Sequence, residues 1–209
     1  MRRVAIVDYG MGNLRSVVNA FNTIGVDAAL INEPSALAGA GAIVLPGVGA
    51  FGEGIQRLRT SGFEPVLREQ VLDRKMPFLG LCLGLQLLAT TGLEHGRHAG
   101  LGWIAGTAVK IPTPAGGGLR LPHVGWNEVK TTPGATLFEG LGASETFYFV
   151  HSYVLVPEDS TVVTGVTSYG SDLVASLAWR NIHATQFHPE KSHAAGLRLL
   201  TNFARLACA

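Results

Sequence analysis

Cysteine is scarce in this sequence, which has only Cys82 and Cys208 among its 209 residues. Two cysteines are too few for a disulfide framework, and Cys208 lies one residue from the C-terminal end, so we expect a reducing compartment, the cytoplasm. Long apolar runs are missing as well. An arginine pair before Val4–Val7 is similar to the start of a signal peptide, but Asp8 ends the apolar stretch. The stretch is far shorter than the roughly 18 residues of a membrane span, so we expect no anchor.

An excess of charge of either sign is also absent, because the formal net charge is only +1. The balance gives no reason to expect nucleic acid or an anionic membrane as a partner. Apolar residues make up 47% of the chain and charged residues 15%, which is typical of a globular protein with a large interior. The one linker-like stretch, the Pro- and Gly-rich loop Thr113–Gly118, is too short to separate domains. We therefore expect a single domain over residues 1–209.

The first half of the chain alternates short apolar runs with segments of helical periodicity. Runs that are apolar throughout indicate strands buried on both faces, as in a parallel sheet covered by helices. The predicted strands are Val4–Val7, Ala28–Ile31, Ala42–Leu45 and Pro77–Leu81, and the predicted helical segments lie over residues 14–24, 55–71 and 83–90. Ligands of such sheets bind at the carboxyl ends of the strands. That edge is where the sequence places Asp8–Asn13, Pro46–Gly54 and Cys82.

The second half is rich in β-branched and aromatic residues separated by turn residues, which predicts antiparallel strands that complete the sheet. The predicted strands are Gly102–Ile111, Gly125–Val129, Phe147–Val156, Val162–Ser168 and Leu173–Phe187, the last containing a hairpin at Arg180-Asn181. A final helix has one apolar face, formed by Leu197, Leu200, Phe203, Ala204 and Ala207. The predicted fold class is α/β, a mostly parallel central sheet flanked by helices, with antiparallel strands added in the C-terminal half.

Cys82 lies at the joint between a predicted strand and a predicted helix, with Gly80 and Gly84 two residues away on either side. This G-x-C-x-G pattern is the thiol counterpart of the G-x-S-x-G nucleophile elbow, whose glycines relieve crowding in a sharp turn. The helix N-terminus beneath the sulfur favours the thiolate, and the N–H of Leu83 is placed to stabilise an oxyanion. A buried core thiol fits the elbow pattern equally well.

The loop Pro46–Gly54 after the third predicted strand contains Gly47, Gly49 and Gly52 in a G-x-G-x-x-G arrangement. Dinucleotide sites use this arrangement after the first strand, with an acidic residue at the end of the second. Here the downstream acidic residues fall in a helical stretch, so we expect no cofactor. We predict instead that the N–H of Val48 or Gly49 supplies a second oxyanion donor.

A candidate base lies near the C-terminus. His188 and Glu190 are two residues apart in an extended segment stiffened by Pro189, so both side chains face the same side. A thiol nucleophile needs a base, and the base needs a carboxylate that fixes its tautomer. A surface histidine at the end of a strand is the alternative interpretation of His188. No carboxylate has this spacing at the other six histidines, His95, His98, His123, His151, His183 and His193.

A metal site is the alternative for the loop around Glu94, where His95 and His98 follow closely. This loop is Gly-rich and lacks both the helical HExxH frame and cysteine partners. We therefore expect no metal.

Together, two segments resemble the signatures of the class I glutamine amidotransferases. Cys82–Leu87 (CLGLQL) is similar to their C-[LI]-G-[MF]-Q-L motif, with Leu85 where Met or Phe is usual, and Phe187–Glu190 (FHPE) matches the second signature. The resemblance implies a flavodoxin-like fold and hydrolysis of L-glutamine to L-glutamate and ammonia through a γ-glutamyl thioester. It also implies roles for individual residues: Cys82 as nucleophile, His188 as base, Glu190 as orienting partner, and Gln86 with Gly47 and Gly49 near the bound glutamine.

A third segment, Arg120–Val129 (RLPHVGWNEV), resembles the P-H-[MV]-G-W-N block of the glutaminase subunits of imidazole glycerol phosphate synthases. Four further matches spread the resemblance over nearly the whole chain: Asp8–Asn13, Pro46–Gly49 with Phe51–Gly54, Tyr148–Tyr153 and His188–Ser192. This family implies a heterodimer with a separate (β/α)₈ cyclase subunit, which uses the ammonia to make imidazole glycerol phosphate and aminoimidazole carboxamide ribotide in histidine biosynthesis. We expect the cyclase to dock against Asn13, Trp126, Asn127 and Lys191.

Two alternatives remain open at this level. The same glutaminase chemistry could serve another acceptor, such as a pyridoxal phosphate synthase, although the block around Trp126-Asn127 favours the first family. A non-catalytic binding or redox-sensing module is the alternative from a different class.

Overall fold

The computed structural model of the chain describes residues 3–113 and 119–207. Its strands are β1 (Val4–Val7), β2 (Ala28–Ile31), β3 (Ala42–Gly47), β4 (Phe78–Cys82), β5 (Ala89–Gly92), β6 (His98–Ala99), β7 (Ile104–Lys110), β8 (His123–Thr131), β9 (Ser144–His151), β10 (Tyr153–Pro157), β11 (Val163–Ser168), β12 (Asp172–Trp179) and β13 (Ile182–Thr185). The α-helices are α1 (Leu14–Thr23), α2 (Phe51–Thr60), α3 (Phe63–Arg68), α4 (Leu83–Gln86) and α5 (His193–Leu206). A π-helical turn (Glu69–Asp73) extends α3, and short 3₁₀ turns cover Pro34–Gly39, Thr136–Phe138, Ser160–Val162 and Pro189–Lys191.

The larger sheet of the described chain has the strand order β2-β1-β3-β4-β13-β12-β11-β8-β9. Strands β2, β1, β3, β4 and β13 run parallel to one another, and the pairings from β13 through to β9 are antiparallel. The predicted α/β class is confirmed, with antiparallel strands added to the sheet in the C-terminal half as expected. The strand predicted as Gly102–Ile111 is an exception, because it forms β7 and pairs with β5 and β10 in a second sheet. The hairpin at Arg180-Asn181 is also confirmed, because β12 pairs antiparallel with β13 across it.

Helices cover both faces of the parallel region. All four residues of β1 are buried, and they alternate between two cores: Ala5 and Val7 pack beneath α2 and α3, whereas Val4 and Ile6 pack beneath α1 and α5. This alternation explains why the strand is apolar at every position. No helix in the described part of the chain is long and apolar enough to span a membrane.

The pairing of the parallel strands determines the position of the site. Gly47 at the end of β3 pairs with Cys82 at the end of β4, and Thr185 at the end of β13 pairs with Leu81. The chain that leaves β3 and the chain that leaves β13 therefore lie on opposite sides of Cys82. This is the carboxyl edge at which the sequence predicts the site.

Two further predicted elements differ from the structure. The helix predicted over residues 83–90 ends at Gln86, because Ala89–Gly92 forms β5 and pairs with β7 and β6 in a second, four-stranded sheet of order β10-β7-β5-β6. The strand predicted as Phe147–Val156 breaks at Ser152, so that β9 stays in the larger sheet and β10 joins the smaller one. In both places tertiary strand pairing overrides the local propensity.

Two sequence features fall outside the part of the chain that the structure describes. Residues 114–118 of the predicted loop Thr113–Gly118 are one of these, and Cys208 is the other.

Candidate active site

Cys82 lies on a sharp strand-to-helix turn, with φ of +52° and ψ of −105°. A positive φ is uncommon for a residue with a side chain and stores strain that the surroundings must hold. The two neighbouring glycines make this turn sterically feasible. A Cβ added at Gly84 would collide with the carbonyl oxygen of Leu45, and one at Gly80 would lie 2.8 Å from the carbonyl oxygen of Gly84. The predicted elbow geometry is therefore present at Cys82.

His188 and Glu190 form a buried pair beyond the end of β13. The Nδ1 of His188 lies 2.8 Å from Oε1 of Glu190, and the two side chains are only 4% and 3% exposed. Ser192 braces the segment: its hydroxyl donates to the carbonyl oxygen of His188 at 2.6 Å and accepts from the N–H of Tyr148 at 3.0 Å. The carboxylate thus fixes the orientation of the imidazole, as the two-residue spacing predicts.

The electrostatics of this pair favour a protonated His188. Burial by itself lowers the pKa of His188, but hydrogen bonding and charge from Cys82 and Glu190 outweigh burial, and the pKa is raised from its ordinary value. The Nε2 of His188 is buried, and among the described residues it has no hydrogen-bond partner other than its interaction with Cys82. A proton on Nε2 is therefore available for transfer rather than committed to the fold.

The other side of Cys82 is formed by the loop that leaves β3. Val48 is 40% exposed, and Gly49 adopts a φ of +108°, which a residue with a side chain rarely tolerates. A cavity of about 440 Å³ opens between this loop and the elbow. The residues that line the cavity are Val48, Gly49, Ala50, Cys82, Leu83, Gln86, Glu94, Pro122, Val150, His151, Ser152 and Tyr153.

The predicted oxyanion donors Leu83, Val48 and Gly49 all line the cavity, as does the predicted substrate contact Gln86. Gly47, the remaining predicted contact, is buried beside the nucleophile and does not line it. A Cβ at Gly47 would collide with the hydroxyl oxygen of Tyr9.

Sequence reasoning missed three side chains at this site. Tyr9 is buried next to Gly47, and burial, with a further contribution from the charge of Cys82, raises the pKa of its hydroxyl. Glu94 lines the cavity, where its Oε2 accepts a hydrogen bond from the N–H of Phe51 at 2.7 Å. Gln186 places its Nε2 at 3.6 Å from the sulfur of Cys82. Tyr9 lies in the edge segment Asp8–Asn13, Glu94 is a candidate from sequence only as a metal ligand, and Gln186 directly precedes the FHPE segment.

The four predicted docking residues occupy different settings. Trp126 is 48% exposed and stacks face to face on His193, with ring centroids 4.8 Å apart. Lys191 places its Nζ 5.6 Å from the ring centroid of Tyr148. Asn13 is exposed at the start of α1.

Asn127 differs from Trp126, its neighbour along β8. The Nδ2 of Asn127 is 3.3 Å from Nε2 of His123 and donates to the carbonyl oxygen of Ser168 at 2.9 Å. Adjacent residues of a strand point to opposite faces, so the side chain of Asn127 does not share a surface with Trp126.

Among the described residues, none of His98, His123, His151 and His183 is hydrogen-bonded to a carboxylate as His188 is. His183 is buried at the other end of β13, where burial lowers its pKa to about 4. The ring nitrogens of His123 and His151 are hydrogen-bonded to each other at 3.0 Å, and His98 packs beneath Gly52. Within residues 3–113 and 119–207, no three His, Cys, Asp or Glu side chains cluster as metal ligands would.

Comparison with known proteins identifies relatives of the whole chain. The family model for class I glutamine amidotransferases matches residues 5–206. The imidazole glycerol phosphate synthase subunit HisH of Syntrophotalea carbinolica is 48% identical, covering 96% of this chain and 98% of that protein. The HisH protein of Aquifex aeolicus is 44% identical over 98% of this chain and 97% of that protein.

Solved structures support the fold independently. The crystal structure of a glutamine amidotransferase superposes with a TM-score of 0.75 at 23% identity, covering 98% of this chain and 99% of that one. A glutamine amidotransferase of Thermotoga maritima superposes with a TM-score of 0.62 at 17% identity, covering 98% of this chain and 83% of that one. The chain belongs to the class I glutamine amidotransferases, and within them to the HisH subunits of imidazole glycerol phosphate synthase.

Proposed function

We propose that this chain hydrolyses L-glutamine to L-glutamate and ammonia at Cys82, through a Cys82–His188–Glu190 triad and a γ-glutamyl thioester. The observation that carries the proposal is the nucleophile elbow at Cys82, facing an open cavity, with the buried His188–Glu190 pair bonded at 2.8 Å behind it. A thiol, an imidazole and a carboxylate in this arrangement are the parts that acyl transfer requires.

The first half-reaction forms the thioester. The thiolate of Cys82 attacks the side-chain amide carbon of glutamine, and the carbonyl oxygen takes up negative charge. Protonated His188 gives its proton to the leaving nitrogen, so the C–N bond breaks and ammonia departs. The raised pKa of His188 supports this assignment, because the imidazole begins in the acid form.

The second half-reaction releases glutamate. Neutral His188 takes a proton from water, the resulting hydroxide attacks the thioester carbon, and the C–S bond breaks to restore the thiolate. Glu190 holds the imidazole in one tautomer and stabilises its charged form in both half-reactions.

Backbone N–H groups are proposed to stabilise the oxyanion. The N–H of Leu83 opens α4 directly after the nucleophile, and the loop from Val48 to Gly49 lines the other side of the cavity. Donors placed where charge develops typically contribute about 10²–10³ in rate each.

The substrate is proposed to be held by Gln86 and by the backbone at Gly49, whereas Gly47, which is buried and does not line the cavity, is proposed to support the loop rather than to contact substrate. Glu94 is added to this set, because its carboxylate lines the same cavity and is complementary to the α-ammonium group of glutamine.

A separate (β/α)₈ cyclase subunit is the proposed acceptor of the ammonia, in a heterodimer that makes imidazole glycerol phosphate and aminoimidazole carboxamide ribotide. An exposed apolar surface, which we call the apolar rim, supports a docking partner. It consists of Val124 and Trp126 from β8 with Tyr148 and Val150 opposite them on β9. Val124 and Trp126 are 56% and 48% exposed. Exposed apolar surface of this kind is typical of protein–protein interfaces.

Docking is proposed to involve Lys191 and Asn13 besides the apolar rim. Asn127 is included as a residue that stabilises the rim strand from its other face rather than as a direct contact. The whole chain, residues 1–209, is proposed to act as one glutaminase domain in the cytoplasm, where the Cys82 thiol stays reduced.

The test is a glutamate-release assay of the chain with and without the cyclase subunit of the same synthase. We expect glutamine-dependent turnover in the complex. Cys82→Ala should abolish this turnover while the complex still uses free ammonium, because the thiol makes ammonia and does not consume it. Glutamine turnover by the Cys82→Ala complex would refute the proposed nucleophile.

A further inference from the structure

Two buried glutamine side chains connect the sulfur of Cys82 to the carbonyl oxygen of Tyr153. Gln86, on α4, uses its Nε2 twice: it donates to the carbonyl oxygen of Tyr153 at 2.9 Å and to Oε1 of Gln186 at 3.1 Å. Gln186 follows β13 directly and is fully buried. Its own Nε2 lies 3.6 Å from the sulfur of Cys82, within the range of an N–H···S hydrogen bond.

The carbonyl oxygen of Tyr153 determines the direction of this chain of hydrogen bonds. A backbone carbonyl oxygen only accepts, so Gln86 must turn its NH₂ group toward it. The second hydrogen of that NH₂ group then points to Gln186, which must present its oxygen. Because a carboxamide has its oxygen and nitrogen on opposite arms, Gln186 is left with its NH₂ group facing the sulfur.

A second series of hydrogen bonds ends at the same carbonyl oxygen of Tyr153. His151 Nδ1 lies 2.9 Å from the carbonyl oxygen of Tyr153, so this nitrogen carries a hydrogen. The Nε2 of neutral His151 then accepts from Nδ1 of His123 at 3.0 Å, and Nε2 of His123 accepts from Asn127 at 3.3 Å. Burial lowers the pKa of His151 to about 4 and also lowers the pKa of His123, so both rings are neutral at pH 7. Each hydrogen bond of this series therefore has one donor and one acceptor, from Asn127 to the carbonyl oxygen of Tyr153.

The sulfur therefore has a donor that the triad does not include. A thiolate only accepts hydrogen bonds, and a buried amide N–H directed at it stabilises the charge and restrains the side-chain rotamer. The Val150 carbonyl oxygen, 4.0 Å from the sulfur, suits only the protonated thiol.

We propose that Gln186 is a further catalytic residue: its side-chain amide, oriented through Gln86 by the carbonyl oxygen of Tyr153, donates to the Cys82 thiolate and holds it ready for attack. This inference rests on the proposed glutaminase reaction for its effect on turnover. A consequence concerns Gln86. Since both hydrogens of its Nε2 bind the protein, only its Oε1 remains for substrate, and the substrate must supply an N–H donor.

The test uses two measurements on Gln186→Met, which keeps the length of the side chain and removes the donor. The first is kcat and KM for glutamine in the complex with the cyclase. The second is the rate at which iodoacetamide alkylates Cys82 in the free chain at pH 7, which needs no glutamine. We expect kcat and the alkylation rate to fall by about 10- to 100-fold, the loss typical of a hydrogen bond to a charged group, with KM changed less than about threefold.

The matched control is Thr185→Val, at the neighbouring position. The Thr185 hydroxyl is buried and donates to the carbonyl oxygen of Phe187 at 3.0 Å, so this variant also loses one buried hydrogen bond. We expect it to lower the melting temperature without slowing alkylation. Equal alkylation by Gln186→Met and wild type, or equal slowing by Thr185→Val, would overturn the proposal.

Gln86→Met serves as a second variant if Gln186→Met does not fold. It removes the group that orients Gln186, so alkylation should slow although the reagent does not use the glutamine site. An unchanged alkylation rate in Gln86→Met would contradict the proposal that Gln86 orients Gln186 toward the sulfur. If alkylation slows in Gln186→Met while the wild-type complex releases no glutamate, the donor to Cys82 stands and the proposed glutaminase function fails.

Discussion

The two sides of Cys82 differ in burial and in the number of hydrogen bonds that hold their residues in place. On the side that follows β13, His188 and Glu190 are buried, bonded at 2.8 Å and braced by Ser192. On the side that follows β3, Val48 is exposed and Gly49 occupies a backbone region that glycine alone enters freely. The proposed proton-transfer groups are thus held by buried hydrogen bonds, whereas the proposed second oxyanion donor lies on an exposed loop that contains a glycine with positive φ.

This difference indicates where a partner could control the reaction. A change at the buried side would require breaking hydrogen bonds inside the protein, which is costly. A peptide flip at the exposed side requires only glycine φ/ψ changes near the surface. We therefore expect docking to act on the Val48–Gly49 loop and to leave the His188–Glu190 pair as it is.

The largest effect is expected from Glu190→Gln in the complex. The amide cannot stabilise the charged imidazole, so kcat for glutamine should fall by up to about 10⁴-fold while some activity remains. Glu53→Gln is the control, since Glu53 is an exposed carboxylate paired with Arg57 at 2.8 Å, and it should keep nearly full activity. Full activity in Glu190→Gln would remove the carboxylate from the mechanism.

The exposed Val48–Gly49 loop predicts that the rate of glutamine turnover depends on the cyclase partner. The free chain should release glutamate at least about 10²–10³ times more slowly than the complex with ligand-bound cyclase, the worth of one oxyanion donor. Rapid turnover by the free chain would contradict this model.

A variant of the loop sharpens the same test. Gly49→Ala should lower the rate of the complex by a similar factor of about 10²–10³, because its φ is +108° and an added Cβ would lie 2.9 Å from Cε of Met11. The control is Gly25→Ala, at a φ of +73° with open space around it and far from the site. It should affect stability only, and loss of turnover in both variants would show that backbone strain alone is responsible.

A smaller effect is expected at the apolar rim. Trp126→Ala should weaken binding of the cyclase by about 30-fold, as for an interface hot spot of about 2 kcal/mol, measured by isothermal titration. Alkylation of Cys82 in the free chain should not change. Trp179→Ala is the control, because Trp179 lies at the far end of β12 under Arg180. Equal affinity of wild type and Trp126→Ala would place the docking surface elsewhere.

The smallest effect is a pH dependence of stability that arises from His183. The pKa of His183 is lowered, whereas the pKa of His188, five residues later, is raised. Burial lowers the pKa of His183 to about 4 in the folded state, against about 6.5 when unfolded. The unfolded chain therefore binds more protons between these values, and stability falls as the pH drops through this window. The free energy of unfolding begins to fall as the pH drops through about 6.5, and the loss that His183 causes reaches about 1 kcal/mol by pH 5.5.

His183→Gln removes this titration. Urea unfolding at pH 7.5 and pH 5.5 should show a smaller acid-induced loss of stability in the variant than in the wild type, by about 1 kcal/mol. Identical losses in the two proteins would mean that His183 is not buried as a neutral ring. His188, whose pKa is raised, cannot account for destabilisation in this direction, because its protonated form is the one the fold favours.

Local spacing was sufficient for the parts of the site that lie close together in sequence. Gly80 and Gly84 flank Cys82 because the backbone around the turn leaves no room for a Cβ, a constraint contained within five residues. The His188–Glu190 pair likewise follows from the two-residue period of an extended segment. The strands β1 and β2 were predicted to the residue, since their apolar side chains form unbroken runs between turn residues.

Local propensity failed where pairing partners are distant. The sequence after Gln86 favours a helix, yet Ala89–Gly92 pairs with β7 and becomes a strand. Nothing local separates β9 from β10, because the break at Ser152 arises from membership in two different sheets.

The sequence by itself determined the fold class, the elbow and the triad candidates, since each depends on steric or periodic rules that act over a few residues. Tertiary structure alone decided what surrounds the sulfur. Gln86 and Gln186 are 100 residues apart, and Gln86 is 67 residues from Tyr153, so their hydrogen bonds depend on tertiary contacts such as the pairing of β13 with β4. The direction of those bonds follows from one backbone carbonyl oxygen that can only accept.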